Sequence, residues 1–255
     1  MKILGLDSSG LVAGVAVVEN GILLAEYNIN YKKTHSQTLL PMLEELRNRI
    51  ELDLESLDGI AISAGPGSFT GLRIGAATAK GLGLALDKPL IEVPTLEGLA
   101  YHFWGSESLV CPMMDARRNQ VYTGIYEFVL TKLGTAKERL LKPEAILPQC
   151  AMDIEMLMCK INELGRKVIF LGDGVSVYQE DISSRCQTPF LIAPAHLNRQ
   201  RAANVAALGE IYIGEGRIVS AAAHQPEYLR KSQAEREREE AEKDKEGQES
   251  EGAAN

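Results

Sequence analysis

The sequence predicts an α/β fold of two successive lobes, each a mixed sheet with helices and each opening with a β-hairpin. Three observations predict it. The first thirty residues read as three strands joined by tight turns, the second turn carrying Asn20-Gly21, a strong hairpin signal. Strand and helix patterns then alternate through the glycine-rich stretch GPGSFTGLRIG, Gly65 to Gly75. From Leu109 the pattern restarts with a second hairpin. At 255 residues and 45% hydrophobic, the chain suffices for one large core or two modest ones.

The first lobe, 1–104, begins with strands KILGLD, LVAGVAVV and ILLAEYNINY; its first turn is Asp7-Ser8-Ser9-Gly10. A helix over 36–50 follows, with Leu39, Leu43, Leu46 and Ile50 on one stripe and Pro41 starting it late or bending it. The strand 59–64 leads through the glycine-rich turn into a helix over 69–86. A strand over 89–93 and a short helix beginning near Thr95 close the lobe. The second lobe, 105–230, opens with strands 109–116 and 121–128 around Arg117-Arg118-Asn119-Gln120. A helix over 152–164, strands at 168–171 and 189–192, and a last helix over about 198–213 follow, the last with the first lobe as an alternative packing surface. Residues 231–255 hold nine acidic and five basic residues, half of the net charge of −8, and read as a disordered tail. The mild acidity of the remainder argues against a principal nucleic-acid grip.

Asp7, Ser8 and Ser9 suit a turn that orients a phosphate and its magnesium-bound water, and equally suit an ordinary turn. The second hairpin's turn, Asp115-Ala116-Arg117-Arg118, lacks the glycine that close backbone approach to phosphate favours. GPGSFTGLRIG resembles an anion loop but lacks Gly-Lys-Ser/Thr and the dinucleotide spacing. Neither His35, His102, His196 and His224 nor Cys111, Cys150, Cys159 and Cys186 show metal-ligand or Cys-x-x-Cys spacing. No motif activates a nucleophile, so catalytic residues and resident metal are both expected to be none. Gly71, Gly75, Ala79 and Gly83 share one face of their helix, which calls for the close approach of another backbone, either within the lobe or from a partner. Unpaired thiols, the absence of a leader-like start and the charges Arg73 and Lys80 in the longest apolar helix point to a cytoplasmic protein without a membrane span.

The duplicated lobe plan is that of the actin, hexokinase and Hsp70 superfamily. ILGLDSS, HSQTLLPMLEEL, GPGSFTGLRIG, MDARRNQVY and PEYLR together resemble the bacterial TsaB (YeaZ) family of tRNA threonylcarbamoyladenosine (t6A) biosynthesis proteins over residues 1–230. The resemblance implies a non-catalytic partner of the paralogue TsaD, which transfers threonylcarbamoyl to the adenosine beside the anticodon. Thr95 and Leu99 would stand where TsaD carries its metal-binding His-x-x-x-His pair. It further implies a homodimer in isolation, a TsaD heterodimer, participation of the ATPase TsaE, and contact with tRNA only through the complex. The interface is placed on His35, Leu39, Leu43, Gly71, Arg73, Gly75 and Ala79. No cofactor is expected, with weak ATP or ADP binding in the cleft or at a partner interface left open. The alternatives are an ATP-dependent kinase of a small metabolite, a metallopeptidase and a homodimer unrelated to tRNA.

Overall fold

A computed structural model of the chain describes residues 1–31, 34–132 and 139–230. The expectation for the tail, 231–255, lies outside them. In the first lobe, strands β1 (Lys2–Asp7), β2 (Ala13–Glu19) and β3 (Ile22–Ile29) form an antiparallel meander. Helix α1 (His35–Arg49), strand β4 (Gly59–Gly65), helix α2 (Phe69–Ala85), strand β5 (Leu90–Pro94) and helix α3 (Thr95–Ala100) follow. The second lobe runs β6 (Leu109–Asp115), β7 (Gln120–Lys132), β8 (Arg139–Asp153), α4 (Ile154–Leu164), β9 (Val168–Leu171), α5 (Asp173–Val177), α6 (Gln179–Arg185), β10 (Phe190–Ile192) and α7 (Ala202–Gly214).

The two sheets have one topology. The first is ordered β3-β2-β1-β4-β5 and the second, read from the same end, β8-β7-β6-β9-β10. In each, the meander is antiparallel and the last two strands join parallel, as helical crossovers require. This is the two-lobed plan of the actin, hexokinase and Hsp70 superfamily that the doubled hairpin predicts.

Both faces of the first sheet are covered. Leu4, Leu6, Val15, Ile60 and Ile62 pack under α1 and α2, against Leu39, Leu43, Leu46 and Ala79. Ile3, Val18, Ala61, Ile91 and Val93 pack on the other face against Val205, Leu208, Ile211 and Tyr212 of α7. Gly209 brings α7 close to the sheet, since a Cβ there would fall under 3.0 Å from Ala61 Cβ. The lobes thus exchange helices. Helix α7 lies on the first sheet, while Leu96, Leu99 and Ala100 of α3 pack on Val110, Met114 and Tyr122 of the second. The other face of the second sheet buries Leu157, Met158 and Ile161 of α4 with Val175 and Ile182.

Sequence reasoning misses β8 and extends the following helix back to Met152, which is strand. Pro143 and Pro148 inside β8 read as breakers, but β8 is an edge strand, where a missing N–H is tolerated. The short helices α5 and α6 are missed as well, having too few turns to show a period.

Candidate functional site at the hairpin turns and lobe junction

Asp7 ends β1 with its side chain buried. Its Oδ1 accepts hydrogen bonds from the Ser9 backbone N–H at 2.9 Å and the Ser9 hydroxyl at 2.7 Å. Burial raises its pKa, and the Ser9 bonds oppose that rise. Ser8 donates its hydroxyl to the Gly71 carbonyl at 2.8 Å. The glycines of GPGSFTGLRIG explain themselves against this turn. A Cβ at Gly67 would strike the Ser9 carbonyl, one at Gly71 the Ser8 carbonyl, and one at Gly75 the Ser8 hydroxyl. The Ser68 N–H, at the mouth of α2, goes to the Ser9 carbonyl at 2.7 Å. The loop with the look of an anion cradle therefore grips the chain's own first turn.

That geometry corrects the interface expected from sequence. Gly71, Gly75 and Ala79 face the chain's own turn and sheet, and Leu39 and Leu43 are buried core residues. The close approach demanded by the helical glycines is met inside the lobe. His35 is half-buried, its Nε2 2.8 Å from the Gly10 carbonyl. Of the expected set only Arg73 is exposed.

The second turn, glycine-free, takes left-handed backbone at three successive residues, Arg117, Arg118 and Asn119 (φ 65°, 56° and 58°). Such angles disfavour side chains by on the order of 1 kcal/mol each. Asp115 anchors them: its Oδ1 accepts the Arg117 N–H at 2.8 Å, and its Oδ2 lies 3.3 Å from the Arg117 guanidinium. Arg118 extends into solvent.

Between the turns stand residues to which sequence reasoning gave no site role. The Gln200 amide packs where a Cβ of Gly10 would lie and reaches Met114 Sδ at 3.6 Å, joining the two lobes. The PEYLR segment, Pro226–Arg230, crosses the junction. The Glu227 N–H donates to the Ala64 carbonyl at 2.7 Å. The Tyr228 ring stacks on Phe69 at 4.6 Å and its hydroxyl meets Arg73 Nε at 3.3 Å. Leu229 packs on the second-lobe cluster and Arg230 donates to the Ala116 carbonyl. Gln149 of β8 donates to the Gly65 carbonyl at 3.2 Å from the other side. Backbone groups at the lobe junction are thus engaged by the chain itself. Gln149 Oε1 is buried without a hydrogen-bond partner among the described residues, and Asp173, the first residue of α5, has such an oxygen, Oδ1, too. Burial raises the Asp173 pKa.

The family model described as "TsaD: tRNA N6-adenosine threonylcarbamoyltransferase" matches residues 23–238. The chain is 33% identical to the tRNA threonylcarbamoyladenosine biosynthesis protein TsaB of Bacillus subtilis, over 92% of this chain and 96% of that one. The chain belongs to the TsaB family. The Escherichia coli TsaB is 33% identical over 57% of this chain and 64% of its own length. A solved Pseudomonas aeruginosa structure, described as an uncharacterized protein with similarity to peptidase YEAZ, superposes with a TM-score of 0.74 at 27% identity, covering 90% of this chain and 99% of that one.

Within this TsaB-family chain, of the two positions compared with the TsaD histidines, Leu99 cannot ligate a metal and the Thr95 hydroxyl is hydrogen-bonded inside the lobe. The Thr95 hydroxyl is buried, 2.9 Å from Ser63 Oγ and within 3.2 Å of the Gly65 N–H that it accepts. Leu99 lies in the core. Nearby His102 points Nδ1 at the Leu99 carbonyl and the Asn204 amide. Burial above all pushes its pKa down to about 4, so the ring is neutral at physiological pH. Among the described residues no helix is long and apolar enough to cross a membrane.

Proposed function

We propose that the chain is a non-catalytic partner subunit in t6A biosynthesis, supporting threonylcarbamoyl transfer by TsaD. The observation that carries this reading is the Thr95–Leu99 pair: a hydroxyl committed to β4 and a core leucine occupy the positions compared with metal-binding histidines, on a chain 33% identical to a TsaB over nearly its full length. The names of the relatives favour this role over a metabolite kinase. In this reading the chain is cytoplasmic, needs no cofactor of its own, forms a homodimer alone and a heterodimer with TsaD, works alongside TsaE, and meets tRNA only through the complex. The lobe boundary falls after residue 104, with α7 serving the first lobe.

The interface in this proposal is the outward stripe of α2: Thr70, Arg73, Ala77, Gly81 and Leu84, all exposed and recurring every three or four residues. Leu84 is 66% exposed, and Leu40 of neighbouring α1 is 53% exposed. Such a patch is suited to a two-fold contact. The test is co-purification with TsaD together with a t6A assay. Ala77→Glu should stay folded, run as a monomer, fail to bind TsaD and fail to support modification. An Ala77→Glu protein that dimerises and binds TsaD normally would move the interface elsewhere.

A further inference from the structure

Arg73, exposed on the outward stripe of α2, carries a charge that the chain orients but does not neutralise. Its Nε meets the Tyr228 hydroxyl at 3.3 Å, and its guanidinium carbon stands 6.0 Å from the centre of that ring. Tyr228 is itself held on every side. Its ring stacks on Phe69 with an interplanar angle of 6°. The Glu227 N–H before it is bonded to the Ala64 carbonyl, and Leu229 after it packs on the second-lobe cluster. Among the described residues Arg73 has no carboxylate partner. Lys80 of the same helix is committed elsewhere, its ammonium donating to the His224 carbonyl at 3.0 Å.

The rest of the stripe decides what becomes of the Arg73 charge on docking. Ala77 lies one turn beyond Arg73 and Gly81 one turn further, so this face has little side-chain bulk and admits a close neighbour. Close approach excludes water along the stripe. A guanidinium stripped of water without a counter-charge is strongly unfavourable, so the partner has to bring an anion to this end. With Nε taken by Tyr228, the terminal amino groups remain as a donor pair spaced to meet both oxygens of a carboxylate. The apolar neighbours Ala77 and Leu84 suit a protein surface rather than a nucleic-acid backbone.

We propose that Arg73 is a preorganised receptor for a carboxylate of the protein partner, with Tyr228 as its positioning residue; this rests on the docking role of α2 proposed above. The experiment measures the affinity of nuclease-treated TsaD for the full-length chain at about 0.05 M and 0.5 M salt. Wild-type affinity should fall as salt rises. Arg73→Gln should weaken binding by about tenfold or more and flatten its salt dependence, and Arg73→Glu should weaken it further by repelling the carboxylate. Arg73→Lys keeps the charge without the fork, and should keep the salt dependence at reduced affinity. Tyr228→Phe keeps the stack on Phe69 and loses only the hydroxyl; it should weaken binding at an unchanged melting temperature. Wild-type affinity in Tyr228→Phe would overturn its positioning part. If Ala77→Glu abolishes binding while Arg73→Gln binds with wild-type affinity and salt dependence, the proposal is overturned and the docking role of α2 stands. If Ala77→Glu binds TsaD normally, both fall. Equal, measurable affinities of Arg73→Gln and Arg73→Glu would overturn the proposal as well. So would loss of wild-type binding on nuclease treatment, which would place the anion on RNA.

Discussion

Gly71→Ala adds one methyl group at the point where α2 meets the first turn. A Cβ there would stand well over 1 Å inside ordinary contact with the Ser8 carbonyl oxygen, which is backbone and cannot swing aside. The turn or the helix must move, and overpacking of this kind costs about 1–3 kcal/mol. Movement also strains the 2.8 Å bond from the Ser8 hydroxyl to the Gly71 carbonyl, worth about 1 kcal/mol. Against this, alanine in place of glycine favours a helix by about 1 kcal/mol. The net expectation is a loss of about 2 kcal/mol, or a melting temperature lower by about 4–8 °C for a chain of this size. Gly214→Ala, at the end of α7 and outside the proposed interface, is the control, since a Cβ there meets nothing within 4 Å. It should gain up to about 1 kcal/mol from propensity alone. Urea unfolding of both variants measures the contrast. Equal stability of the two, within about 0.5 kcal/mol, would refute the reading of the glycine face as an intramolecular contact.

His102 sets a pH dependence. Its ring binds a proton in the unfolded chain near the ordinary 6.5 but in the fold only near 4, so stability is full above 6.5 and is lost as pH falls toward 4, by up to about 1.4 kcal/mol per unit. Urea midpoints across that range should fall less steeply in His102→Gln, and identical slopes would show that the histidine is not held neutral. The PEYLR segment is the second case. A chain ending at Gln225 loses the Phe69–Tyr228 stack, the Leu229 packing and the Ala64 hydrogen bond, together about 2–4 kcal/mol. A chain ending at Arg230 should melt with the full-length protein, and a matching loss in both truncations would place the stabilising contacts beyond Arg230.

The doubled architecture was legible because short apolar runs mark the strands, Asn20-Gly21 marks a turn, and the hairpin pattern restarts at Leu109. Strand β8 was not, since the tolerance of Pro143 and Pro148 depends on lying at a sheet edge, a property of the assembled sheet. The small-residue face of α2 was read correctly as a close approach, but sequence does not say what approaches. Ser8 and Gly71 are 63 residues apart, and only their hydrogen bond identifies the partner. Gln200 and Glu227 carry no motif chemistry that would set them at the junction. Asn20-Gly21 announced a hairpin, but its bond to Glu210, 189 residues away, appears only when α7 crosses to the first sheet. Leu99 was the most informative site position, because a leucine side chain cannot ligate a metal wherever the fold puts it.

The central claim is that this chain supports TsaD without performing the chemistry itself. It is tested most directly by threonylcarbamoyl transfer to unmodified tRNA in a reaction containing TsaD, TsaE and the activated threonylcarbamoyl donor, with and without this chain. The account predicts t6A only when the chain is present, none from the chain without TsaD, and undiminished product when Thr95 is replaced by valine in a folded variant. Formation of t6A by the chain alone, or equal yields with and without it, would contradict the account.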